Sequence, residues 1–326
     1  MSIAELIKSK DKLMIGSDSQ RPSRDVPAGT RHSAPRLETP SPPRAQMQRA
    51  DAQQFGPPKA ARVKRTTPMS TEATSRTHGY GWVPDVPDQR DHLFAAPPTV
   101  LGALPSSADL TSQCPPVYDQ GQLGSCTANA IAGALEFDAG KQSIGDYKTP
   151  SRLFIYYNER VMENTVASDS GAQIRDGIKS VGKQGACQET EWPYDTGKFA
   201  DQPPQQCYDD ASHHRALAYQ RVVRSLQQMQ GCLAAGFPFV FGFTVYESFE
   251  GQEVAQSGVV PMPQPNEQVL GGHAVMAVGY DNSSQRFRVR NSWGNGWGQS
   301  GYFTMPYQYL LSTGLSSDFW TVRMVS

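Results

Sequence analysis

The sequence has 326 residues, a formal net charge of −1 and a hydrophobic fraction of 38%, which allows one large domain or two of moderate size. This balance excludes a uniformly basic or acidic chain, but the charge is unevenly distributed. Residues 1–78 hold fourteen lysines and arginines against seven acidic residues, whereas the remainder holds sixteen against twenty-four.

Residues 1–78 form a basic tail that contains nine prolines and one aromatic residue, Phe55. Such a composition cannot bury enough apolar surface to offset the entropy lost on ordering, so the tail is predicted to be disordered. A solvated tail or linker is the favoured interpretation. Binding to acidic surfaces, nucleic acid as a partner, and a role in export are less favoured.

The chain contains no stretch that resembles a membrane span, and its start, MSIAELIKSKDKLMIGS, lacks an apolar run of signal-peptide length. Classical secretion is therefore not predicted. Localisation stays open between the bacterial cytoplasm and export by a non-classical route.

From residue 79 onward the pattern is that of a folded domain. Residues 79–91, GYGWVPDVPDQRD, are predicted to be extended because prolines are excluded from helix interiors, and they begin an N-terminal strap over residues 79–114. Apolar residues that recur at steps of three and four predict helices over residues 127–137, 151–163 and 174–181. Gly185 is suited to end the third helix in a left-handed turn.

The second half of the domain is rich in aromatic and β-forming residues. After a helix over residues 225–235, strands are predicted in the runs FPFVFGFTVY, HAVMAVGYD, RFRVRNSW and GYFTMP. A mainly helical part (115–218) thus precedes a mainly β part (219–326). This order predicts an α+β fold in which the cleft lies between the two parts.

Cys126 stands at the start of the first predicted helix, directly after a turn-prone run that contains Gly121 and Gly124. A thiolate is the nucleophilic form of cysteine, and the positive end of a helix or a nearby imidazolium lowers the thiol pKa. The glycines leave backbone N–H groups free to point at a developing oxyanion. The position of Cys126 therefore predicts an ionised, nucleophilic thiol.

Among the six histidines, His273 best suits a general base, because it follows two glycines at the mouth of an apolar strand. Without further motifs, His273 would be explained equally well as a core histidine whose hydrogen bonds are satisfied. Asn291, at the end of a later strand, is placed to accept a hydrogen bond from the imidazole and to fix its tautomer. Trp293 is placed to shield that bond from water.

Four motifs resemble those of a papain-like cysteine peptidase: Gln120, the G-S-C at Gly124–Cys126, the G-H-A-V at Gly272–Val275 and the N-S-W-G-x-x-W-G at Asn291–Gly298. The order Cys, His, Asn and the 147 residues that separate Cys126 from His273 agree with the spacing in that family. The resemblance covers residues 104–324 approximately. Together with the runs GWVPDVPDQRD and WPYD, it points to the xylellain-like bacterial branch of the family.

The resemblance implies a two-lobed fold, with a helical lobe, an antiparallel β-barrel-like lobe and the active site between them. It implies that Cys126 attacks the scissile carbonyl, that His273 pairs with the thiolate and protonates the leaving amine, and that Asn291 orients His273. Gln120 would donate its side-chain amide to the oxyanion beside the Cys126 N–H, each donor contributing about 3 kcal/mol. The expected supporting residues of the substrate site are Gly124, Ser125, Gly272 and Trp293.

Three features depart from the family pattern. Leu123 stands where plant and animal members carry a disulfide cysteine, and Thr127 follows the nucleophile where an aromatic residue is usual. The tail also lacks the long amphipathic helices of the usual inhibitory propeptide. Residues 79–91 either lie across the cleft as an inhibitory strap or pack on the outer surface, and the outer position is favoured.

The predicted function is a cysteine-type endopeptidase that hydrolyses polypeptide substrates through a thioester on Cys126. Deamidation or acyl transfer by the same triad, and a non-catalytic binding module on the same fold, are the alternatives. The chain is taken to be a monomer.

Thiol chemistry requires no metal or cofactor, and none is predicted. Because the chain has five cysteines, at least one thiol is unpaired. The sequence leaves open whether Cys187 and Cys207 form a disulfide. A zinc site built from these two cysteines with His213 and His214 fits no compact ligand spacing. Glu191 is interpreted as a surface charge.

Overall fold

The computed structural model describes residues 79–145 and 148–324, so the tail predicted to be disordered (1–78) lies outside the described residues. The helices are α1 Pro98–Leu101, α2 Cys126–Lys141, α3 Arg152–Glu163, α4 Ile174–Gln184, α5 Gln205–Ala211, α6 Leu226–Ala234, α7 Gln252–Ser257 and α8 Tyr307–Leu311. The strands are β1 Trp82–Val83, β2 Leu93–Phe94, β3 Ser107–Asp109, β4 Ala172–Gln173, β5 Ala216–Val222, β6 Phe239–Tyr246, β7 Val269–Asp281, β8 Arg286–Arg290, β9 Tyr302–Pro306 and β10 Ser316–Met324. None of the described helices has the length and apolar character needed to cross a lipid bilayer.

Helix α2 occupies the centre of the fold and is buried on nearly every side, against α3, α4, β7 and β10. Its sequence is rich in alanine and glycine, and these small side chains let the surrounding elements come close. At Gly133, for example, an added Cβ would lie 2.9 Å from Nη1 of Arg290. The helix that carries Cys126 is therefore held rigidly.

The three helices predicted before residue 185 are present. The residues that flank them explain where two of these helices begin or end. Ser151 precedes α3, and its hydroxyl accepts a hydrogen bond from the Phe154 N–H at 3.1 Å, which satisfies one N-terminal donor of the helix. Gly185 follows α4 with a φ of +83°, a conformation that costs glycine little.

The main sheet has eight strands in the order β2-β5-β10-β6-β7-β8-β9, with β3 paired to β7. All neighbours are antiparallel except β2 and β5. The long strand β7 carries His273, and Asn291 directly follows the adjacent strand β8. Because β7 also packs against α2, the sheet brings the base and its partner to the helix that carries the thiol.

The start of the strap, residues 79–82, lies in the cleft, whereas Val86 and Arg90 farther along are exposed at the surface. Strand β1 pairs in parallel with β4, through Trp82 with Ala172, and the Gly81 carbonyl accepts from the Ala172 N–H at 2.7 Å. The favoured outer position was therefore wrong for residues 79–82. The physical reason is that the strap offers aromatic side chains to a surface of glycines, which leaves room for them.

Candidate active site

Cys126 is the first residue of α2 and is fully buried. Burial raises the pKa of its thiol to about 12, although the nearby N–H groups of Ala274, Gly81 and Thr127 oppose this effect. Burial thus favours the neutral thiol in this arrangement, whereas the place of Cys126 at a helix start favours the ionised form.

His273 is fully buried in β7, and its Nε2 lies 2.8 Å from Oδ1 of Asn291. The same Oδ1 accepts from the Ser292 N–H at 2.9 Å, which identifies it as the carbonyl oxygen of the amide. The imidazole must therefore donate from Nε2, and the tautomer with a basic Nδ1 is favoured. Ala274, whose N–H lies near the Cys126 thiol, is the next residue along the strand.

Aromatic rings surround the His273–Asn291 hydrogen bond. Trp293 stacks on the imidazole with ring centroids 5.0 Å apart and an interplanar angle of 29°. Phe243 meets the imidazole edge-on at 5.7 Å, and Phe249 packs against Trp293 at 5.4 Å. These rings exclude water from the bond, and so they keep the imidazole in one orientation.

Gln120 presents its side-chain N–H₂ group toward the cleft. Its Oε1 accepts from the Ser292 hydroxyl at 2.6 Å, and its Nε2 donates to the carbonyls of Gly79 at 3.1 Å and Leu123 at 2.9 Å. Ser292 thus fixes which end of the amide donates. The donor expected to serve an oxyanion is occupied by a carbonyl of the strap.

The predicted supporting residues lie around the same cleft. The Gly124 N–H donates to both carboxylate oxygens of Asp169 at 3.0 Å, and Ser125 shares a 2.5 Å hydrogen bond with the Tyr194 hydroxyl. At Gly272 an added Cβ would lie 2.5 Å from the carbonyl oxygen of Trp82. Asp169 was not identified from the sequence, because no local motif marks it.

The strap contacts the nucleophile Cys126, the base His273 and the oxyanion donor Gln120. Besides the Gly79 carbonyl on Gln120, the Tyr80 ring lies 6.1 Å from His273 and 6.2 Å from Trp293, measured between centroids. The Trp82 ring lies against Gly242, where an added Cβ would come within 1.9 Å of it. Nucleophile, base and oxyanion donor are all screened from solvent.

Two buried carboxylates anchor the strap. Asp318, at the sheet side, accepts from Trp82 Nε1 at 3.1 Å and from the Asp85 N–H at 2.8 Å. Asp85, in the strap, accepts from Trp320 Nε1 at 2.9 Å and from the Arg175 N–H at 3.0 Å. Burial, together with the charge of Asp318, raises the pKa of Asp85 to about 6. Neither carboxylate was singled out from the sequence.

The remaining candidates lie away from this site. Cys187 and Cys207 are free thiols, and their sulfur atoms lie within 4.8 Å of each other and of a Glu191 carboxylate oxygen. His213 does not belong to that group, and His214 Nε2 lies 3.7 Å from Oδ1 of Asp210. The structure thus joins the two cysteines with Glu191, in place of the two histidines considered from the sequence.

Residues 104–319 match the family model described as papain family cysteine protease. Over 282 residues the chain is 42% identical to an uncharacterized peptidase C1-like protein of Acanthamoeba polyphaga mimivirus, an alignment that covers 79% of this chain and 90% of that protein. Xylellain, a cysteine protease from Xylella fastidiosa, is similar in structure, with a TM-score of 0.72 and 46% identity over 77% of this chain and 98% of its own. Digestive procathepsin L 3 of Tenebrio molitor, at 20% identity and a TM-score of 0.58, covers 76% of each chain and shares the fold.

Proposed function

The chain belongs to the papain family of cysteine proteases, and on that premise we propose that Cys126 is its nucleophile and that residues 79–91 hold the enzyme in a latent form. The predicted papain-like α+β fold and the xylellain-like branch are confirmed. The protein is a cysteine-type endopeptidase, and its substrates are polypeptides.

The proposed mechanism assigns one task to each side chain. His273 takes the proton of the Cys126 thiol at Nδ1, and the sulfur attacks the scissile carbonyl carbon. Gln120 Nε2 and the Cys126 N–H donate to the oxyanion, each contributing about 3 kcal/mol to transition-state stabilisation. His273 then protonates the departing amine, and water hydrolyses the thioester. Asn291 keeps the imidazole in the required tautomer.

Latency is supported above all by the hydrogen bond from Gln120 Nε2 to the Gly79 carbonyl at 3.1 Å. A substrate oxyanion needs the same donor, so strap and substrate compete for it. Full burial of Cys126 and His273 supports the same conclusion, because a nucleophile without access cannot reach a peptide. We therefore propose that activity requires the strap to leave the cleft or to be cut.

A mixed peptide library, incubated with the chain after limited proteolysis within residues 79–91 and with a Cys126→Ala control treated in the same way, tests the assignment of the nucleophile. Cleavage by the cut chain and none by the control is expected, and mass analysis of the products distinguishes hydrolysis from deamidation, which leaves the length of the peptide unchanged. Persistent cleavage by pure Cys126→Ala protein would contradict the assignment.

A thiol-directed epoxide tests latency independently of substrate choice. We expect Cys126 in the full chain to be labelled slowly, and at least about tenfold faster after limited proteolysis within residues 79–91, since labelling then no longer awaits release of the strap. Equal labelling rates before and after proteolysis would refute the latent form without affecting the assignment of the nucleophile.

A further inference from the structure

Two buried thiols and two carboxylates meet at one place in the helical lobe, away from the catalytic cleft. Cys187 and Cys207 are 0% and 2% exposed. The two sulfur atoms and a Glu191 carboxylate oxygen all lie within 4.8 Å of one another. Cys207 belongs to α5, whereas the other two residues lie in the loop that follows α4. The fold thus brings three potential ligands together from two separate segments.

Asp210 extends this group. It lies three residues after Cys207 on α5 and therefore on the same face of the helix. Its carboxyl group hydrogen-bonds to that of Glu191, while its Oδ2 is buried with no hydrogen-bond partner among the described residues. A buried carboxylate oxygen without a partner is costly unless a proton or a cation satisfies it.

The electrostatics of the group favour a cation. His214 lies beside Asp210, with its Nε2 3.7 Å from Oδ1. Within the described residues, no lysine or arginine forms an ion pair with either carboxylate. A divalent ion would supply the positive charge that the two carboxyl groups lack.

We propose that Cys187, Cys207 and Glu191 bind a structural zinc ion, with Asp210 supporting Glu191 and a water molecule completing the tetrahedron. Zn–S bonds of about 2.3 Å place two sulfur ligands roughly 3.8 Å apart in a tetrahedral site, so the two sulfur atoms need to approach each other by no more than about 1 Å. Thiol ligands favour zinc over magnesium or calcium, which prefer oxygen. Glu191 is exposed, and this leaves a path for the ion.

The site would stabilise the helical lobe. The Cys187 carbonyl accepts from the Ser151 N–H at 2.8 Å, and the Ser151 hydroxyl donates to the Trp192 carbonyl at 2.7 Å. An ion held by Cys187, Cys207 and Glu191 would therefore link α5 to the start of α3. The spacing C-x3-E-x15-C fits no compact zinc motif, and so the sequence alone does not predict the site.

The test is zinc binding by the reduced Cys126→Ala chain, since the catalytic thiol and imidazole would otherwise compete for the metal. After chelation and removal of the chelator, titration against a chromophoric zinc indicator is expected to show one zinc ion per chain. Cobalt in place of zinc is expected to give the thiolate charge-transfer band and the intense d–d bands of a tetrahedral site. A reduced chain that takes up neither metal overturns the proposal.

Variants in the same background identify the ligands. Cys187→Ser and Cys207→Ser are each expected to abolish the cobalt bands, and Asp210→Asn is expected to weaken zinc binding by about 10–100-fold. Cys232→Ser is the matched control, because Cys232 is buried but lies outside the group, and it should bind zinc normally. A Cys187–Cys207 disulfide that resists mild reductant in the purified full chain, read from its intact mass, would also overturn the proposal. If a serine variant fails to fold, the cobalt spectrum of the Cys126→Ala chain still decides whether thiolates bind the metal in a tetrahedral site.

Discussion

The backbone N–H of Asp85 donates to the side-chain carboxylate of Asp318 at 2.8 Å, which joins the strap to the last strand of the sheet. The two carboxylates are 8% and 2% exposed. Each also accepts from a tryptophan indole, Trp320 for Asp85 and Trp82 for Asp318. Two negative charges so close together and so little hydrated make strap binding sensitive to proton concentration.

We expect the strap to be held more tightly in acid than at neutral pH. Burial and the charge of Asp318 raise the pKa of Asp85 from 3.8 to about 6 in the bound strap, although Arg175 opposes this. The bound form therefore holds its proton more tightly than a free strap does. This stabilisation is fully present below pH 3.8 and is lost as the pH rises through about 6. Two pKa units correspond to about 3 kcal/mol, or roughly 100-fold in the binding constant, as an upper bound.

Epoxide labelling of Cys126 between pH 4 and 7 measures this effect, with Asp85→Asn as the matched control. The asparagine keeps an acceptor for the Trp320 indole but does not titrate, so the rise in thiol reactivity with pH is common to both proteins. The ratio of the full-chain rate to the control rate is expected to increase through about pH 6. A constant ratio would show that Asp85 does not control release of the strap.

Substitution of Trp82 should activate the enzyme. Its ring packs against Gly242 and Gly272, and its indole donates to Asp318, so Trp82→Ala removes both the packing and the hydrogen bond. Loss of a packed tryptophan costs about 3–5 kcal/mol, and we expect labelling of Cys126 to accelerate at least tenfold. Trp82→Phe keeps a ring but not the indole N–H, so its rate of Cys126 labelling should lie between the rates of the original chain and of Trp82→Ala. Unchanged labelling of Trp82→Ala would exclude Trp82 as an anchor.

The motifs that point to the proposed catalytic constellation are local in the sequence. Gly124–Cys126 ends a turn and begins a helix, and Gly272–Val275 lies within one strand, so neighbouring residues define each environment. The Asp85–Asp318 pair joins residues 233 positions apart, and it exists only once the strap is bound. Burial also raises the pKa of Cys126, and burial is a tertiary effect that the place of a residue at a helix start does not show.

Elements with mixed patterns were also harder to predict from the sequence. Strand β10 begins with Ser316, Ser317 and Asp318, residues typical of turns, and its pairing with β6 shifts register after Ser317. Asp318 has a φ of +59°, a conformation that neighbouring pairing must stabilise. Helix α5 has few apolar residues, and only Cys207 and Ala211 are buried. Strand β10 forms because β5 and β6 pair with it. Helix α5 forms because the rest of the fold buries its Cys207 and Ala211.

Ser292 is expected to act as a positioning residue for the oxyanion donor. Its hydroxyl donates to Gln120 Oε1 at 2.6 Å, so Ser292→Ala leaves the amide free to rotate. A hydrogen bond of this kind contributes about 1 kcal/mol, and we expect kcat to fall roughly five- to tenfold with KM little changed. Measuring in the Trp82→Ala background separates this effect from strap release. A fall in stability with unchanged kcat would indicate a purely structural role, and exposed Ser284→Ala is the control.

Glu159 should behave as a neutral side chain behind the catalytic helix. It is fully buried, its Oε1 accepts from the Thr127 hydroxyl at 2.6 Å, and burial holds its pKa well above the ordinary value of 4.5. Glu159→Gln, which keeps the shape and the acceptor, is expected to change the free energy of unfolding by less than about 1 kcal/mol below pH 4.5, where the carboxyl group is protonated in the unfolded chain as well. Glu159→Ala should cost about 2–4 kcal/mol through the cavity it leaves.

The pH dependence of unfolding tests the charge state of Glu159 directly. An acid whose pKa is raised by folding favours the folded state at low pH, and this contribution disappears as the pH rises through the raised pKa. Denaturant titrations at pH values that rise above 4.5 should therefore show the original chain losing stability relative to Glu159→Gln. The charge of Glu159 also raises the pKa of Cys126, so a neutral Glu159 is what a reactive thiol requires. Parallel stability curves for the two proteins would mean that this carboxyl is ionised throughout, and that Thr127 instead donates to a buried carboxylate.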